Sequence, residues 1–482
     1  MSIKNDINKI LLKKFPHLEI SVVKYSEVQT DNESKRIDSE YFKQEYLENE
    51  RIIKSRDYTK LLNVCYFIRN GDDCRDYEEN GVKYIRTGDI KEYGLDLNNC
   101  ATIRNDFISE IKLSIGDLLI TRKGNYGKSQ VINKKEILKS IISSEIFLIK
   151  LKNINPYYAD TFLKSKFGQS QFERNIHGVS NFSVTQEALL NFLIPIFPKE
   201  FQIEIEAMVK DSHKALENSK KLYKEAEKIL YEALGLDAEN PLESILSFRE
   251  KNKVIHNHLK RYKRLNISIR TYKESYLKTG RLDAEYYQVK YDLIENVIKS
   301  YYWGYDTLDI EEIKDTNFIP NEEEKYRYIE LADIVNGNIT EPLEDFGKNL
   351  PTRARRKVKT GDLIISSVEG SLSSCALITE EFDNCIVSTG FYVLKSNFLN
   401  SETLLVIFRS ELFQKYLNKF PSGTILNAIS KDGLKNILIP HLDLKTQRKI
   451  EAKVKQSFEL RDKSKELLEN AKVKIENAII DS

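Results

Sequence analysis

The sequence predicts a mixed α/β (α+β) fold: two tandem strand-rich domains, each followed by one long helix, with the two helices pairing as an antiparallel coiled coil. The first observation behind this prediction is a repeat. RIDSEYF at 36–42 returns as RLDAEYY at 281–287, so Asp38 and Asp283 stand 245 positions apart. A period of twenty to fifty residues would indicate a solenoid, whereas a period this long indicates a duplicated domain.

The repeat covers most of the chain. KYIRTGDI at 83–90 returns as RYIELADI at 327–334, one residue short of the same step. GDLLI at 116–120 returns as GDLII at 361–365, and FLIPIF at 192–197 returns as ILIPHL at 437–442. The second observation is a change of pattern after each strand-rich part, where apolar and small residues begin to alternate at spacings of four and three. That spacing is the seam of a coiled coil.

The composition is that of a globular protein. At 482 residues, 41% of them hydrophobic, the chain can form two or three domains with cores of their own. The formal net charge is only +2, so any surface for nucleic acid must be local. We find no apolar run long enough for a membrane span and no apolar region after the lysine-rich start, and we therefore expect a cytoplasmic protein. Five cysteines without a CxxC pair argue against disulfides and against a zinc site.

Short β-branched and aromatic runs, separated by Gly-Asp and Asn-Gly turns, predict the strands. In the first half they are Val82–Ile85, Leu118–Thr121 and Glu145–Leu151, and in the second half Tyr326–Ile329, Leu363–Ser366 and Gly390–Leu394. Helical spacing then predicts a helix over Pro156–Arg174 and another over Ser401–Leu417. After each helix comes an Ile-Pro pair, Ile194-Pro195 or Ile439-Pro440, which we expect to break regular structure.

These patterns divide the chain into six parts. We predict an N-terminal helical segment at 1–19, a first domain at 20–199, a central spacer helix at 200–236, a linker at 237–265, a second domain at 266–444 and a C-terminal spacer helix at 445–482. Gly235 is expected to cap the central helix at its C-terminus.

The two long helices share one heptad register. The predicted pairing residues are Ile205, Val209, Leu216, Tyr223, Leu230, Ile450, Val454, Leu468 and Ile475. Serines and alanines between them would let the backbones approach closely, and Arg461, at the position that corresponds to Leu216, is the one clear mismatch. The alternative is that each helix packs on its own domain alone, which would require a broader apolar stripe. Paired antiparallel, helices of about 33 residues would form a spacer roughly 50 Å long.

The sequence carries no catalytic motif that we recognise. Gly124 to Ser129 ends like a phosphate-binding loop, but GxxxxGK[ST] requires glycine where Arg122 stands. There is no GxGxxG after a strand, no HExxH, and no acidic cluster that both halves share. We predict a chain without catalytic residues and without a metal site.

Polar and basic loops at matching places in the two halves are the candidate binding residues. Arg, Lys and Asn at the ends of strands can neutralise phosphates or pair with base edges. The alternative for any one of these residues is an ordinary surface loop. The predicted DNA-binding residues are Arg86, Arg122, Lys123, Asn125, Lys128, His177, Ser180 and Asn181 in the first half, and Arg353, Arg355, Arg356, Lys357, Ser422, Thr424 and Asn427 in the second.

The order of these motifs, found twice, resembles the specificity (S) subunits of type I restriction-modification enzymes. The residues that carry the resemblance are the R-[IL]-D-[SA]-E-Y-[FY] openings, Tyr84 to Ile90, Gly116 to Ile120, Gly124, Gly127-Lys128, Gly423-Thr424, Ile429-Ser430, the two Ile-Pro pairs, Gln202 and Gln447. It extends from about residue 20 to the end of the chain. The resemblance implies that the two domains are target recognition domains, each with its own helix.

The resemblance also implies partners and cofactors. An S subunit binds a bipartite, asymmetric site on double-stranded DNA and holds two methyltransferase subunits, joined for restriction by translocating nuclease subunits. S-adenosylmethionine, ATP and magnesium are then expected on those partners and not on this chain. Two alternatives stay open: the specificity subunit of a two-subunit enzyme that cuts on both sides of its site, and a coiled-coil protein scaffold that does not bind DNA.

Overall fold

The structure is a computed structural model of the chain. It describes residues 3–30, 36–91, 94–97, 100–176, 182–245, 268–308, 313–314, 316–340, 342–423 and 427–481. By its contacts the chain forms two units. Unit 1 comprises residues 1–217 and 460–482, and unit 2 comprises residues 218–459. Each unit therefore contains one strand-rich body and part of both long helices.

Unit 1 alternates short helices with short strands. Its helices are α1 (Ile3–Lys14), α2 (Tyr25–Thr30), α3 (Gln44–Lys54), α4 (Leu61–Val64), α5 (Pro156–Lys164), α6 (Lys166–Asn175), α7 (Gln186–Leu190) and the first part of α8 (Lys199–Ala233). Its strands are β1 (Tyr58–Lys60), β2 (Cys65–Asn70), β3 (Tyr77–Ile85), β4 (Ile90–Lys91), β5 (Gly94–Leu95), β6 (Ala101–Ile103), β7 (Leu118–Thr121), β8 (Ser129–Val131), β9 (Ile141–Ile142), β10 (Ile146–Leu151) and β11 (Leu193–Pro195).

Unit 2 repeats this order with additions. Its helices are α9 (Tyr276–Thr279), α10 (Val289–Lys299), α11 (Ser401–Arg409), α12 (Glu411–Leu417), α13 (Lys431–Lys435) and the first part of α14 (Leu444–Asp481), together with the end of α8. Its strands are β12 (Tyr305–Thr307), β13 (Ile313–Lys314), β14 (Lys325–Ile329), β15 (Ile334–Val335), β16 (Asn338–Ile339), β17 (Leu343–Phe346), β18 (Ala354–Lys357), β19 (Leu363–Ser366), β20 (Cys375–Leu377), β21 (Ile386–Ser388), β22 (Phe391–Leu394), β23 (Pro421–Ser422), β24 (Ala428–Ile429) and β25 (Leu438–Pro440).

The central sheet is the same in both units. Its order is β2-β10-β7-β8 in unit 1 and β13-β22-β19-β20 in unit 2, and all neighbouring strands are antiparallel. A second sheet lies in each unit, β6-β3-β9 in unit 1 and β17-β14-β21-β18 in unit 2. Strand β18 is thus an extra strand at the edge of the second sheet. The predicted mixed α/β class with strand-rich domains is confirmed.

The central sheet is buried on both faces. In unit 1, Leu118, Ile120 and Phe147 point into a cluster with α5, α6 and the long helices, whereas Leu119 and Leu148 point into a cluster with the second sheet. Side chains that alternate along a strand reach opposite faces, so a strand buried on both sides is apolar throughout. This is why GDLLI and GDLII read as continuous apolar runs.

Two of the predicted helices are wrong in one respect, because each is broken by a serine. The segments predicted as single helices are α5 with α6 and α11 with α12. Ser165 has an extended backbone (φ −71°, ψ 166°), and its hydroxyl accepts a hydrogen bond from the Gly168 amide. Ser410, 245 residues later, caps α12 in the same way through Phe413. Serine at an N-cap satisfies an amide that a continuous helix would bond internally.

We predicted that the Ile-Pro pairs would break regular structure, and this prediction is wrong. Each closes a short strand: Pro195 pairs with Tyr58 in the sheet β1-β11, and Pro440 pairs with Tyr305 in the sheet β12-β25. These sheets have only two strands, so every strand is an edge, where proline is tolerated.

The long helices pair antiparallel within each unit. In unit 1 the Ser212 hydroxyl donates to the Ser464 carbonyl at 2.8 Å, and Ile205 and Val209 share a buried cluster with Leu468 and Ile475. Residue numbers rise along one helix as they fall along the other. Leu216 and Arg461 are both half-buried at the mismatch.

In unit 2 the Ser457 hydroxyl donates to the Ser219 carbonyl at 2.9 Å. Leu230, Ile450 and Val454 lie in one buried cluster, against which Tyr223 packs. Helix α8 ends at Ala233, and Gly235 caps it as predicted. Gly235 has a left-handed backbone (φ 71°) and its amide donates to the Glu232 carbonyl, while the Leu236 amide donates to the Tyr231 carbonyl. Those two bonds form a Schellman motif.

Candidate nucleic-acid interface

In each unit, the loop after a central strand lies against the segment before the Ile-Pro pair. In unit 1 the Val184 amide donates to the Arg122 carbonyl at 2.8 Å, and the Gly124 amide donates to the Phe182 carbonyl at 3.2 Å. Lys123 and Ser183 form an antiparallel bridge between these bonds. We call residues 122–128 and 182–184 the paired loops of unit 1.

Unit 2 contains the same contact 245 residues later. The Ile429 amide donates to the Ser367 carbonyl at 2.8 Å, the Glu369 amide donates to the Asn427 carbonyl at 2.9 Å, and Val368 forms the bridge with Ala428. We call residues 367–373 and 427–429 the paired loops of unit 2. Of the predicted DNA-binding residues, Arg122, Lys123, Asn125 and Lys128 lie in the paired loops of unit 1, and Asn427 lies in those of unit 2.

The predicted residues in the paired loops of unit 1 differ in exposure. Asn125 is exposed, and Lys123 and Lys128 are half-buried. The Lys123 ammonium lies 3.9 Å from the Glu145 carboxylate. Arg122 is half-buried, with its guanidinium 5.6 Å from the centre of the Phe147 ring and a long hydrogen bond of 3.5 Å to the Ser144 carbonyl.

Arg86 lies outside the paired loops. It precedes a turn of 3₁₀ helix, and Asp89 accepts a hydrogen bond from the Arg86 amide at 2.8 Å while its carboxylate lies 3.8 Å from the guanidinium. Its side chain is about half exposed, so it can still reach a partner. His177, Ser180, Asn181 and Thr424 lie outside the described residues.

In unit 2 the four predicted basic residues lie on or beside the extra strand β18. Arg353 and Lys357 are exposed, and the Lys357 ammonium lies 5.3 Å from the centre of the Phe318 ring. Arg355 donates to the Thr352 carbonyl at 2.9 Å. Arg356 instead turns toward the central sheet, with its guanidinium 5.3 Å from the centre of the Tyr392 ring. Only part of this basic cluster is therefore available to a ligand.

Strand β18 and the paired loops of unit 2 are joined through one turn. The Thr389 amide donates to the Arg353 carbonyl, and the Ser367 amide donates to the Gly390 carbonyl, both at 2.9 Å. Ser422 and Asn427 are exposed at the nearby hairpin β23-β24. Polar and basic side chains from three chain segments thus come together on unit 2.

The sequence analysis missed the residues that hold the end of α6 in unit 1 and the segment after α12 in unit 2. Arg36 makes two hydrogen bonds to Asp38, at 2.7 and 2.6 Å, and donates to the carbonyls of Arg174 and Ile176. Arg281 makes the same two bonds to Asp283 and donates to the carbonyls of Phe420 and Pro421 at 3.0 Å. We call each pair the Arg-Asp clamp. The sequence did contain a signal for these residues, because the arginine and aspartate of each clamp are the R and D of the repeated R-[IL]-D motif.

A second ion pair supports each clamp. In unit 1 the Arg174 guanidinium binds the Glu50 carboxylate at 2.6 Å and lies 4.2 Å from the centre of the Tyr41 ring. In unit 2 Lys419 binds Glu295 and lies over Tyr286, the equivalents of Glu50 and Tyr41. Burial acts to raise the pKa of Glu50, but the charge of Arg174 and hydrogen bonds from Lys54 and Arg174 outweigh it and lower that pKa.

Gln202 and Gln447 connect the long helices to the rest of each unit. The Gln202 side-chain oxygen accepts from the Asn155 amide at 2.9 Å, and the Gln447 oxygen accepts from the Asn400 amide at 3.0 Å. Asn155 and Asn400 in turn cap α5 and α11. The start of each long helix is thereby tied to the helix that packs on the central sheet.

The comparisons with known proteins place solved S subunits among the similar structures. No family model and no curated protein matches the chain. The S subunit of a type I restriction-modification system from M. genitalium is similar over 88% of this chain and 95% of its own, with 15% identity and a TM-score of 0.38. The HsdS subunit from Thermoanaerobacter tengcongensis is similar over 88% and 96%, with 16% identity and a TM-score of 0.28. A chain of a type I R-M system, solved to explain its complex assembly and conformational transition, has 19% identity and the same coverage and TM-score as the HsdS subunit.

Within the described residues no three His, Cys, Asp or Glu side chains are grouped as metal ligands. The five cysteines are free thiols, and no described helix is both long and apolar enough to cross a bilayer.

Proposed function

We propose that the chain is the DNA sequence-specificity subunit of a type I restriction-modification enzyme, itself non-catalytic. It would bind a bipartite, asymmetric site on double-stranded DNA and scaffold two methyltransferase subunits and, for restriction, translocating nuclease subunits. The observation that carries the proposal is the duplicated contact of the paired loops, built from identical backbone bonds but different side chains.

Paired loops with the same backbone bonds but different side chains are suited to binding two different half-sites of one DNA site. Unit 1 presents Lys123, Asn125 and Lys128 at its paired loops, where unit 2 presents Val368, Gly370 and Ser373 at the equivalent positions. The basic residues of unit 2 come instead from β18. Phosphate contacts position a protein on DNA while contacts to base edges specify the sequence, so differences of this kind change what is read without changing the fold.

The partners and cofactors of the proposal follow from the resemblance of the motifs. S-adenosylmethionine would bind the methyltransferase subunits, and ATP with magnesium would bind the nuclease subunits, in the cytoplasm. The paired helices support a scaffolding role because Lys and Glu dominate their solvent-facing sides, as in Lys210 with Glu206 and Lys455 with Glu451.

Methylome sequencing of the host with and without the gene tests the proposal. We expect one bipartite motif, with two defined halves separated by unspecified bases, to lose its methylation when the gene is deleted and to regain it when the gene is returned on a plasmid. A methylome that is identical in all three strains would exclude the proposed function.

The near-neutral net charge favours one other candidate, a protein scaffold that does not read DNA. Binding of duplex DNA to the chain with its co-purified partners separates the two, because phosphate neutralisation makes affinity fall steeply with salt. A binding constant that is the same for all duplexes and insensitive to salt would favour the scaffold.

A further inference from the structure

Each unit holds one arginine over the same aromatic position of its central sheet. Phe147 pairs with Ile120 in unit 1, and Tyr392 pairs with Ile365 in unit 2, so the two rings occupy one register, 245 residues apart. The Arg122 guanidinium lies 5.6 Å from the centre of the first ring, and the Arg356 guanidinium lies 5.3 Å from the centre of the second.

The two arginines come from different places in the repeat. Arg122 follows β7, and the residue 245 positions later is Ser367, which cannot reach the ring of Tyr392 with its short side chain. Arg356 lies on β18, and the residue 245 positions earlier is Ile111, which packs against the apolar cluster beside the central sheet of unit 1. Leu113 and Val358, two residues further on, are buried in equivalent clusters, so the alignment holds here.

Each unit therefore supplies this place with one arginine, although the source of the side chain has moved. A guanidinium above an aromatic ring is favoured by the ring quadrupole. The guanidinium–ring contact is kept in both units although the arginine comes from different chain positions, which indicates that the contact has a function. Sequence drift alone would have left one of the two rings without a guanidinium. We call this place the guanidinium site.

The neighbours of the guanidinium site identify the task. In unit 1 Arg122 bonds the turn before β10 through the Ser144 carbonyl, its amide donates to Glu145, and its carbonyl accepts from Val184 in the paired loops. In unit 2 Arg356 donates to the Phe391 carbonyl, and the Tyr392 hydroxyl donates to the Ile429 carbonyl at 2.9 Å. In unit 1 the arginine thus connects the turn before β10 to the paired loops through its own backbone. In unit 2 the arginine holds the first residue of β22, and the ring beneath its guanidinium bonds the paired loops through the Tyr392 hydroxyl.

We propose that the guanidinium site is a positioning site that fixes the paired loops against the central sheet, and so sets the geometry with which the exposed side chains of each unit meet its half of the DNA site. The part concerning DNA rests on the proposed function. The part concerning loop position does not, and the two are tested separately.

The test moves the arginine of unit 2 to the chain position that unit 1 uses. Arg356→Ile removes the guanidinium and copies Ile111, and Arg356→Ile with Ser367→Arg returns it from the position of Arg122. Arg104→Ile, at an exposed residue of unit 1 outside the site, is the control for losing an arginine. All variants are made in the full-length chain and co-expressed with its methyltransferase partner.

The first readout is hydrogen exchange at the amides of Glu369 and Ile429, which bond across the paired loops and are unchanged in every variant. We expect Arg356→Ile to accelerate exchange there by about tenfold, the effect of losing one cation–π contact, and the double variant to recover most of it. Arg104→Ile should leave these amides unchanged. Unchanged exchange in Arg356→Ile would overturn the positioning site, whatever the chain does with DNA.

The second readout is the methylome. We expect Arg356→Ile to reduce methylation by at least about tenfold, or to relax the sequence in one half of the motif only, and the double variant to restore it. If Arg356→Ile unfolds unit 2, a folded double variant still supports the site. A double variant that behaves like the single one in both readouts overturns it. Absence of any motif in the wild type would sink the proposed function and leave the exchange result to decide the positioning site.

Discussion

At the scale of single residues, the repeat preserves interactions more faithfully than it preserves side chains. Asp117 and Asp362 are equivalent buried carboxylates at the two Gly-Asp turns, yet Lys150 pairs with the first and Lys314 with the second, both at 2.6 Å. A buried charge without a partner is costly, so a cation must reach each aspartate from wherever the fold permits. The repeat in the sequence predicts the aspartates, but only the structure identifies their partners.

The Arg-Asp clamps predict a specific dependence on pH. The hydrogen bonds from Arg281 lower the pKa of Asp283 below its ordinary value of 3.8, and Arg36 does the same for Asp38. Because the folded pKa is below the unfolded one, the clamp stabilises each unit fully above about pH 4, and that stability is lost as the pH falls further, through the lowered pKa.

Asp283→Asn should therefore lower the melting temperature of unit 2 at pH 6, with a difference from wild type that shrinks as the pH approaches 3. Glu285→Gln, two residues away and outside the clamp, is the matched control and should show no such convergence. Thermal melts by circular dichroism between pH 3 and 6 measure it, and a difference that is constant over this range would contradict the clamp.

Exposed Arg353 provides the residue-scale test of DNA contact. If its guanidinium neutralises one phosphate, Arg353→Gln should weaken binding for all duplexes alike and reduce the slope of log K against log salt by about 1. Lys415→Gln, which also removes an exposed cation from unit 2 but on α12, should leave the slope unchanged. Titrations of plasmid DNA at several salt concentrations measure both, and equal slopes for wild type and Arg353→Gln would remove Arg353 from the interface.

At the scale of elements, the periodicity of the sequence predicted the apolar strands, but it missed the features that depend on single polar groups. Strands β7 and β19 match their predicted bounds, because their apolar runs end in Gly-Asp turns on one side and polar loops on the other. The break at Ser165 was missed since the apolar spacing continues through it. The meeting of the paired loops was also out of reach, because it depends on backbone bonds between segments about sixty residues apart, which leave no periodic trace.

The small size of the serines in the helix seam determines how closely the two long helices pack. Ser212 and Ser464 are both buried and bonded to each other, so the backbones lie close at this level. Ser464→Leu should force the helices apart at a cost of about 1–3 kcal/mol in the stability of unit 1. Lys463→Leu places the same side chain on the exposed neighbouring position and should cost far less. Urea denaturation measures the two, and equal stabilities would mean that the seam is not closely packed.

At the scale of the whole molecule, contacts divide the chain differently from its sequence order. The last residues of the chain belong with its first 217, whereas unit 2 is one continuous segment, 218–459. Leu468, Ala471, Ile475 and Ile479 lie in the buried cluster that also contains Ile205 and Phe162. The antiparallel pairing predicted from the shared heptad register implies this exchange, because it places the end of the second long helix beside the start of the first.

A stop codon after Glu459 should consequently destabilise unit 1, although most of unit 1 lies at the other end of the sequence. The shortened chain would expose the apolar seam of unit 1. Losing that burial should lower the free energy of unfolding of unit 1 by on the order of 5 kcal/mol, which is similar to the whole stability of such a unit. Hydrogen exchange should then rise at β7 and β10 while β19 and β22 stay protected, since unit 2 retains every residue of its own. A stop after Glu476, which keeps Leu468, Ala471 and Ile475, is the control and should leave β7 largely protected. If the first truncation instead loosened both units equally, or unit 2 alone, the C-terminal helix would not be a part of unit 1.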